Sequence, residues 1–490
     1  MKVLDGNTVL ERKWPLFILV ALIVRALFIV YQVSDARYPA EGAHWAVNTG
    51  DTRSYIDPVE HLIAQGSYKP DYRMPGVSAP YFLFRQVLGP SASKDAMVVL
   101  QWILSSISVY FLSLVALRLS GSSIAAWTVY MLFLLSTYSS SHVSSLSSDS
   151  LAVSVLVLHV FFLQRAVDRS SQGLLLTAGF FIAWLVFLRP VAALLLAPAL
   201  WLVLIHWRVV FPIQAVFCFL LPFMILDGAW TIRNYKVHGE LSPLTNQGLM
   251  PDEIATRPRG YVMRFLQGYG GNYIWWEPGA DIRWFGMWTG SGDVDNEGRD
   301  AKEPPAFAYV PGYTRDSLYS VSEQIRLIES GAITGQDSVD LVSKVNNDLY
   351  RYTALYQAEA PFNYHVLSRF RMIKYMVVQN GTETLFAVPF NELPVLLKVF
   401  KVVQSFLYLF SFGVGAIAIV VMLWQWRRTD LLLARWVPLI VLYMVMIYPL
   451  GLRMGEWRFM VHVFPLALML AVVFVVGQWK TLRFKAKPLD

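Results

Sequence analysis

Residues 14–33 have the sequence WPLFILVALIVRALFIVYQV, an apolar run that a single charge, Arg25, interrupts. A helix of about 20 apolar residues is long enough to cross the hydrocarbon core of a bilayer. Comparable runs recur along the chain, and Pro, Gly and charged residues concentrate between them. This pattern predicts an all-α polytopic membrane protein with about ten transmembrane helices, near residues 14–33, 96–117, 124–137, 151–165, 174–188, 191–206, 209–226, 402–424, 431–448 and 459–477.

The composition agrees with a membrane location. Of the 490 residues, 56% are hydrophobic and 15% are charged, against about 45–50% and about 25% in soluble domains. Basic residues on the cytoplasmic side of membrane spans account for much of the net charge of +7, so no nucleic-acid partner is expected. The single cysteine, Cys218, excludes a disulfide framework within the chain. No small-residue cleavage site follows the first run, so we expect a retained helix there.

The distribution of Lys and Arg predicts the orientation of the spans. Loops on the cytoplasmic side of a membrane carry an excess of Lys and Arg, and alternate connections of this chain do so. We therefore expect a multi-pass inner (plasma) membrane protein with both termini in the cytoplasm and both large polar segments outside. The basic residues assigned to the inner side are Lys2, Arg12, Lys13, Arg118, Arg165, Arg169, Arg208, Arg427, Arg428, Lys480, Arg483, Lys485 and Lys487.

The polar segments divide the chain into three parts. Residues 1–229 form a transmembrane module that includes a first outer loop, 34–94, with amphipathic helices. Residues 230–393 are too long for a connecting loop and predict a mixed, mostly helical domain outside the membrane, and residues 394–490 hold the last transmembrane helices. In the outer domain we expect loops and short strands first, followed by helices over residues 316–330, 337–358 and 361–378.

The first outer loop contains the most informative acidic residues. Asp57 precedes Pro58 and lies three residues before Glu60, a pattern that predicts the start of a helix, with Gly66 as its stop. This helix-capping role accounts for the presence of Asp57 and Glu60 without any role in catalysis. Asp51 lies outside that pattern, and it is either a solvated or capping loop residue or a catalytic carboxylate.

Arg73 lies in the turn Arg73-Met74-Pro75-Gly76, close to the predicted outer face of the membrane. A guanidinium group is well shaped to hold a phosphate by paired hydrogen bonds. An arginine in an exposed turn can equally contact lipid headgroups. The residues alone leave both interpretations open.

Further charged and polar residues converge on the same predicted face. Charges near the hydrocarbon boundary are costly, so they tend to face a polar cavity or to pair with each other. For Arg25, in mid-span, we expect an internal salt bridge. The convergent set suits a substrate with an anionic, lipid-linked head, and consists of Asp51, Arg73, Asp149, Arg189, Arg233, Glu456 and Arg458.

Other chemical signals are weak. Trp275, Trp276, Trp284 and Trp288 are typical either of a membrane interface, which we favour, or of a surface that stacks on sugar rings. The eight histidines are scattered and show no metal-binding pattern, so no metal or cofactor is predicted. Asn380-Gly381-Thr382 is a possible glycosylation sequon.

In order along nearly the whole chain, the motifs resemble those of the GT-C class of glycosyltransferases. Within that class they are most similar to the bacterial branch of the dolichyl-phosphate-mannose protein mannosyltransferase family. Many members carry two adjacent acids in the first outer loop, whereas Thr52 follows Asp51 here, which argues against a protein mannosyltransferase proper. The motifs are Gly50-Asp51-Thr52…Tyr55, Gly66-x-Tyr68, Arg73-x-Pro75-Gly76, Gly179…Leu188-Arg189-Pro190, Trp230-x-x-Arg233-Asn234-Tyr235 and Glu456-x-Arg458.

The resemblance implies an inverting transfer of a sugar from a polyprenyl-phosphate carrier to an acceptor hydroxyl on the extracytoplasmic (periplasmic) side. The acceptor is a glycan, a lipid or a protein. It implies Asp51 as the general base and Arg73, Arg233 and Arg458 as ligands of the lipid phosphate. The donor is a substrate, and no cofactor is required. The substrate pocket is then expected to include Tyr55, Asp149, Arg189, Asn234, Tyr235 and Glu456.

Two other classes of function remain open at this point. A surface-polysaccharide polymerase or ligase would share the topology and the carrier chemistry, but it would transfer a whole lipid-linked glycan. A polytopic lipid or solute transporter would also gather charges in a polar cavity. Transporters usually show repeated halves and broken helices at the membrane midplane, and the sequence shows neither.

Overall fold

The computed structural model describes residues 12–34, 39–71, 73–206, 212–244, 258–274, 280–286, 303–378, 390–425 and 432–485. These residues are mostly helical, and the only extended pairings among them are the isolated bridges Pro39–Val47, Val47–Ser145 and Val310–Tyr313. The short strands expected in the outer domain are thus not found in its described part. The chain forms two compact units, residues 1–246 with 380–444 and 460–490, and residues 247–379 with 445–459.

Apolar helices dominate the first unit. The loop 34–94 contributes two further helices, each with one face buried. The helices are α1 (Trp14–Ser34), α2 (Thr52–Gln65), α3 (Ser78–Leu88), α4 (Pro90–Ser120), α5 (Ser123–Leu135), α6 (Ser148–Arg169), α7 (Gln172–Leu188), α8 (Leu196–His206) and α9 (Pro212–His238), followed later in the chain by α14 (Val395–Trp424), α15 (Leu432–Met446) and α16 (Phe464–Lys485).

Within the described ranges, six helices are long and apolar enough to cross a membrane, judged by length and composition. Four shorter apolar helices, Ser123–Leu135, Gln172–Leu188, Pro190–Ile205 and Phe464–Gly477, coincide with the other predicted spans. An all-α polytopic membrane protein is therefore confirmed, whereas the count of ten spans and the orientation stay predictions. The six longer helices are Trp14–Ser34, Pro90–Ser120, Ser148–Arg169, Ile213–His238, Val395–Trp424 and Leu432–Leu452.

Close helix packing in the first unit depends on a glycine of the predicted motif. A Cβ atom on Gly179 of α7 would lie 2.1 Å from the carbonyl oxygen of Phe219 on α9. Only a residue without a side chain lets the two backbones approach this closely. The contact holds α7 beside α9, the helices that carry Arg189 and Arg233 near their ends.

The salt bridge predicted for Arg25 is wrong. Its guanidinium group is fully buried and donates hydrogen bonds to the carbonyl oxygens of Phe133 (2.8 Å) and Ser136 (3.2 Å) at the C-terminal end of α5. The last carbonyls of a helix lack intrahelical partners and carry a partial negative charge. A helix end can therefore supply hydrogen-bond acceptors to a buried cation without a carboxylate.

The second unit is also helical where it is described. Its helices pack around an aromatic core that includes Tyr269, Trp284, Phe285, Tyr313 and Tyr356, so Trp284 serves packing and not a membrane interface. Several residues of the sequence predictions lie outside the described part of the chain. They are the tryptophans Trp275, Trp276 and Trp288, the sequon 380–382, and the basic residues Lys2, Arg208, Arg427, Arg428 and Lys487. The helices are α10 (Arg259–Tyr269), α11 (Arg315–Glu329), α12 (Gly335–Glu359), a π-helical turn (Asn363–Leu367) and α13 (Ser368–Val378), and a second π-helical turn covers Ile447–Leu452.

The helix start predicted at Asp57 is also wrong. Helix α2 begins at Thr52, one turn and more earlier, and Pro58 lies inside it. The predicted stop is confirmed, because Gly66 has a φ of 73° and its N–H bonds to the carbonyl of Leu62, a left-handed cap that favours glycine. The earlier start moves Asp51 to the N-cap position of α2.

Candidate active site

Asp51 forms an ion pair with Arg73. The Nη2 atom of Arg73 lies 2.7 Å from Oδ1 of Asp51, and both side chains are partly open to solvent, at 27% and 22% exposure respectively. Asp51 occupies the N-cap position of α2 but makes no capping hydrogen bond with its side chain. A negative charge is still favoured at a helix N-terminus. The helix end and the arginine together stabilise the ionised carboxylate.

The backbone around Asp51 is fixed by a second segment. Val47 pairs with residues 144–146, since its N–H donates to Ser144 (2.9 Å) and its carbonyl accepts from Leu146 (3.3 Å). The hydroxyl of Thr52 then donates to the carbonyl of Leu146 (3.2 Å). Thr52 therefore ties the start of α2 to the turn before α6.

Tyr55 connects Asp51 and Arg73 to a second ion pair. Arg73 donates to the hydroxyl of Tyr55 (2.9 Å) and lies over its ring at 4.7 Å from the centroid. The buried Tyr55 hydroxyl donates in turn to Ser148 (2.9 Å), the first residue of α6. The next residue, Asp149, is ion-paired with Arg189. The first unit thus gathers four of the predicted charges, Asp51, Arg73, Asp149 and Arg189, in one hydrogen-bonded cluster.

The pair between Asp149 and Arg189 joins two helix ends. Asp149 is in the first turn of α6 and is 3% exposed, and Arg189 caps the C-terminus of α7. An acid at a helix N-terminus and a base at a C-terminus each oppose the charge of the helix dipole. This geometry gives the pair a structural role that is independent of any substrate.

Close packing against α7 explains why the Arg-x-Pro-Gly motif ends in glycine at position 76. A Cβ atom at Gly76 would lie 2.4 Å from the carbonyl oxygen of Phe187 and 2.6 Å from the nitrogen of Leu188. Trp184 of α7 donates to the carbonyl of Gly76 (2.9 Å). The turn that carries Arg73 is therefore packed directly on the last turn of α7, next to Arg189.

Arg233 is held by an acid that the sequence did not single out. Its Nη1 atom lies 2.6 Å from Oδ2 of Asp71, and Nη2 donates to the carbonyl of Tyr68 (2.8 Å). His238, at the end of α9, contacts the same oxygen of Asp71 at 2.6 Å. Arg233 also lies 4.9 Å from the centre of the Trp230 ring. Arg233 is connected to the Asp51 cluster through Tyr68, whose hydroxyl donates to Ser78, which donates to the carbonyl of Tyr55.

The neighbours of Arg233 in its motif differ in environment. Asn234 is fully buried and donates to the carbonyl of Ser242 (2.9 Å), so it secures the chain that leaves α9. Trp230 donates to the carbonyl of Leu244 for the same purpose. Tyr235 is 55% exposed. Within this motif, Arg233 is the residue that approaches the cluster.

The interaction of Asp71 predicts a pH-dependent contribution to stability. Burial raises the pKa of Asp71, but hydrogen bonds from Arg233 and His238 outweigh burial and hold that pKa below its ordinary value. A carboxyl group with a lowered folded-state pKa adds stability that is present above about pH 4 and is lost as the pH falls through the folded-state value. We expect Asp71→Asn to make thermal unfolding less sensitive to acid between about pH 3 and 6 than wild type.

Asp57 provides a control of opposite sign for this measurement. Burial raises the pKa of Asp57, so its contribution to stability is present at low pH and is lost as the pH rises. Thermal midpoints of wild type, Asp71→Asn and Asp57→Asn across that pH range should therefore diverge in opposite directions. Parallel curves for wild type and Asp71→Asn would contradict the role given to the Asp71–Arg233 pair.

Glu456 and Arg458 lie in the second compact unit. They form an ion pair of 2.6 Å, in which the Glu456 side chain is buried and the Arg458 side chain is 23% exposed. Their pairing with each other was one of the outcomes expected for such charges. Their placement in the substrate pocket stays a prediction.

Sequence reasoning missed several members of this network. Asp71, His238 and Ser148 act through hydrogen bonds across more than 90 positions of the chain, and no local pattern marks them. Tyr68 was visible only as part of a motif. Among the described residues, no group of three or more His, Cys, Asp or Glu side chains is arranged to hold a metal ion.

Fold and site together describe an α-helical membrane protein with a cluster of paired arginines and carboxylates at one end of its first unit. No family model matches the chain, and no curated protein matches it. Among solved structures it is similar to the archaeal oligosaccharyltransferase AglB from Archaeoglobus fulgidus, in complex with an inhibitory peptide and a dolichol-phosphate. That likeness has 12% identity and a TM-score of 0.44, and it covers 99% of this chain and 53% of AglB, so the chain spans about half the length of that protein.

Two structures of ArnT from Cupriavidus metallidurans are also similar. The structure bound to undecaprenyl phosphate has 14% identity and a TM-score of 0.34, and the apo structure has 12% and 0.33. Each likeness covers 95% of this chain and 78% of ArnT.

Proposed function

We propose that the protein is an inverting membrane glycosyltransferase that moves a sugar from a polyprenyl-phosphate carrier to an acceptor hydroxyl. The observation that carries the proposal is the cluster in which Arg73 bridges Asp51 and the Tyr55 hydroxyl. It puts a carboxylate able to accept a proton beside a guanidinium able to bind phosphate. Membership of the bacterial branch of the protein mannosyltransferase-like family is part of this proposal and rests on the sequence motifs.

Asp51 acts as the general base in the proposed reaction. It accepts the proton of the acceptor hydroxyl while the hydroxyl oxygen forms a bond to the anomeric carbon of the donor sugar. The bond between that carbon and the phosphate oxygen breaks, and the electron pair leaves with polyprenyl phosphate. A single in-line displacement inverts the configuration of the anomeric carbon. General-base assistance of this kind contributes about 10²–10⁴ in rate.

Arg73 binds the phosphate that becomes more negative as the sugar departs. Its guanidinium already contacts Asp51 and Tyr55, so an incoming phosphate would share it with the carboxylate. Arg233 is the second phosphate ligand in the proposal. Arginines directed at developing negative charge supply a large part of such catalysis, and the mechanism then needs no metal.

An apolar groove between α7 and α9 is suited to the isoprenoid chain of the donor. The two helices that form it are the ones that bring Arg189 and Arg233 to the cluster. A lipid chain held there would extend from the apolar part of the unit toward the arginines. The groove is lined by Leu176, Thr177, Phe180, Leu221, Pro222, Ile225 and Leu226.

Filling this groove should discriminate between donors by chain length. We expect Leu221→Trp to raise KM for a long-chain polyprenyl-phosphate sugar by about tenfold, since the lost groove contacts are apolar. A water-soluble donor with a short isoprenoid chain should keep its KM. Leu27→Trp, on the exposed face of α1, is the matched control. An equal change for both donors would argue against the groove as the lipid site.

The proposed function is tested by sugar transfer with purified protein in detergent. A panel of synthetic polyprenyl-phosphate sugars is offered with candidate glycan, lipid and protein acceptors, with and without EDTA. Turnover of one donor that persists in EDTA, with inversion at the anomeric carbon, would support a metal-independent inverting transferase. Turnover only with a preassembled lipid-linked glycan would indicate a polysaccharide ligase. Donor movement across liposomes without bond cleavage would indicate a transporter.

A further inference from the structure

In the part of the second unit that the structure describes, two arginines lie together and neither is paired with a carboxylate. Arg369 belongs to the first turn of α13, and Arg453 follows the π-helical turn Ile447–Leu452 that packs on this helix. Gly455 sits against Met372, where an added Cβ would be 2.9 Å from the Met372 Cα. Since Arg369 is one helical turn before Met372, this packing brings Arg453 beside Arg369.

The geometry of Arg453 is held by an aromatic ring and an unusual backbone. Its guanidinium carbon lies 3.5 Å from the centre of the Tyr364 ring. Its φ of +55° is in the left-handed region, which costs a non-glycine residue free energy unless the surroundings enforce it. Stacking on an aromatic ring leaves the N–H edge of a guanidinium available for hydrogen bonds. The N–H edge of the Arg453 guanidinium group therefore has a fixed orientation.

Among the described residues, no acid balances the charges of these two arginines. Burial, and after it the charge of Arg453, lowers the pKa of Arg369. Burial also lowers the pKa of Arg453, and a side-chain hydrogen bond with Tyr364 partly opposes this shift. No ion pair to either arginine is formed by the described residues, and the buried Nη1 atom of Arg369 has no hydrogen-bond partner there. Nearby Arg371 differs, because it donates to the carbonyl of Tyr269 and stacks on Phe307.

We propose that Arg369 and Arg453, with Tyr364 as the orienting ring, form a binding site for a phosphate group. Two neighbouring guanidinium groups match the planar oxygen pairs and the charge of a phosphate. An anion bound between the two arginines offsets the repulsion between their charges. It also accepts hydrogen bonds from guanidinium N–H groups that have no acceptor in the described part of the protein. The site belongs to the second unit and does not depend on the function proposed for the first.

Two sources of the phosphate share this chemistry. Arg453 directly follows Leu452, the last residue of a candidate membrane span, so the phosphate of an anionic lipid headgroup is one source. A soluble phosphate ester is the other. The test therefore uses phosphatidylglycerol in mixed micelles, with phosphatidylcholine as the zwitterionic comparison, and inorganic phosphate in a separate titration with sulfate-free buffer.

The measurement is the thermal midpoint of the purified full-length protein during each titration. In wild type we expect a saturable rise with phosphatidylglycerol, with inorganic phosphate or with both, and the probe that acts identifies the source. Arg369→Gln and Arg453→Gln should each weaken the apparent affinity by about tenfold or more. Lys374→Gln, which removes an exposed cation from the same helix, should behave as wild type.

The ligand-free midpoints make the test decisive. Removing one of two neighbouring cations relieves repulsion, so Arg369→Gln without ligand should be as stable as wild type or more stable. A strongly lowered ligand-free midpoint would assign the arginines a structural role and overturn the proposal. It is equally overturned if neither probe gives a saturable rise in wild type, or if Arg369→Gln and Lys374→Gln respond alike.

Discussion

Replacing Asp51 with Asn is expected to reduce sugar transfer by about 10²–10⁴, the range that general-base catalysis contributes. The amide keeps the size of the side chain and can still contact Arg73, but it cannot accept the proton of the acceptor hydroxyl. Donor binding should change much less than turnover, because the phosphate is bound by arginines in the proposal. The measurement is kcat and KM for the donor identified in the transfer assay.

Asp57→Asn is the matched control for this substitution. Asp57 lies on the same helix, six positions after Asp51, and it is not part of the cluster around Arg73. Its replacement should leave kcat unchanged. If Asp51→Asn transferred sugar at the wild-type rate, the role of Asp51 as general base would be refuted. A glycosyltransferase would then need another base.

Loss of one partner from the Asp149–Arg189 pair is expected to cost about 3–5 kcal/mol in the free energy of unfolding. Arg189→Met leaves the Asp149 carboxylate, which is 3% exposed, without its cation. Burying a charge without a partner is far more costly than the pair is stabilising. The thermal midpoint of the purified variant in detergent measures this cost.

The double variant Asp149→Leu with Arg189→Met separates charge from packing. Two apolar side chains of similar volume often replace a buried ion pair without loss of stability, so the double variant should recover most of the midpoint. An Arg189→Met protein as stable as wild type would show that the pair is not needed for the fold. A double variant that recovers stability but not sugar transfer would show that the charges also serve the substrate.

The sequence predicts the helical membrane architecture well because apolar runs are local. Each of the ten predicted runs coincides with an apolar helix among the described residues, since burying backbone polar groups in lipid requires hydrogen bonds within the segment. The stop at Gly66 is equally local. The start of α2 is not, because Thr52 bonds to the carbonyl of Leu146 and Val47 pairs with residues 144–146, which are distant along the chain.

The candidate site is predictable only in part, for a related reason. Asp149 and Arg189 were found because charges at the ends of apolar runs are unusual, and Asp51 and Arg73 because of their motifs in the first outer loop. The partners of Arg233 and Arg25 were not found. Asp71 reaches Arg233 across 162 positions of the chain, and Arg25 donates hydrogen bonds to carbonyl groups of a helix end. Backbone carbonyls are present in every sequence, so no residue pattern identifies them as partners.

The contact between Gly76 and α7 links the proposed chemistry to the thickness of the bilayer. Helix α7 has only 17 residues, fewer than the roughly 20 that span an average hydrocarbon core. A short helix responds to mismatch by local thinning of the bilayer or by a change in how it is packed. Because the turn that carries Arg73 rests on the last turn of α7, we expect such an adjustment to displace Arg73 relative to Asp51. Lipid chain length is then expected to change the distance between the proposed base and the proposed phosphate ligand.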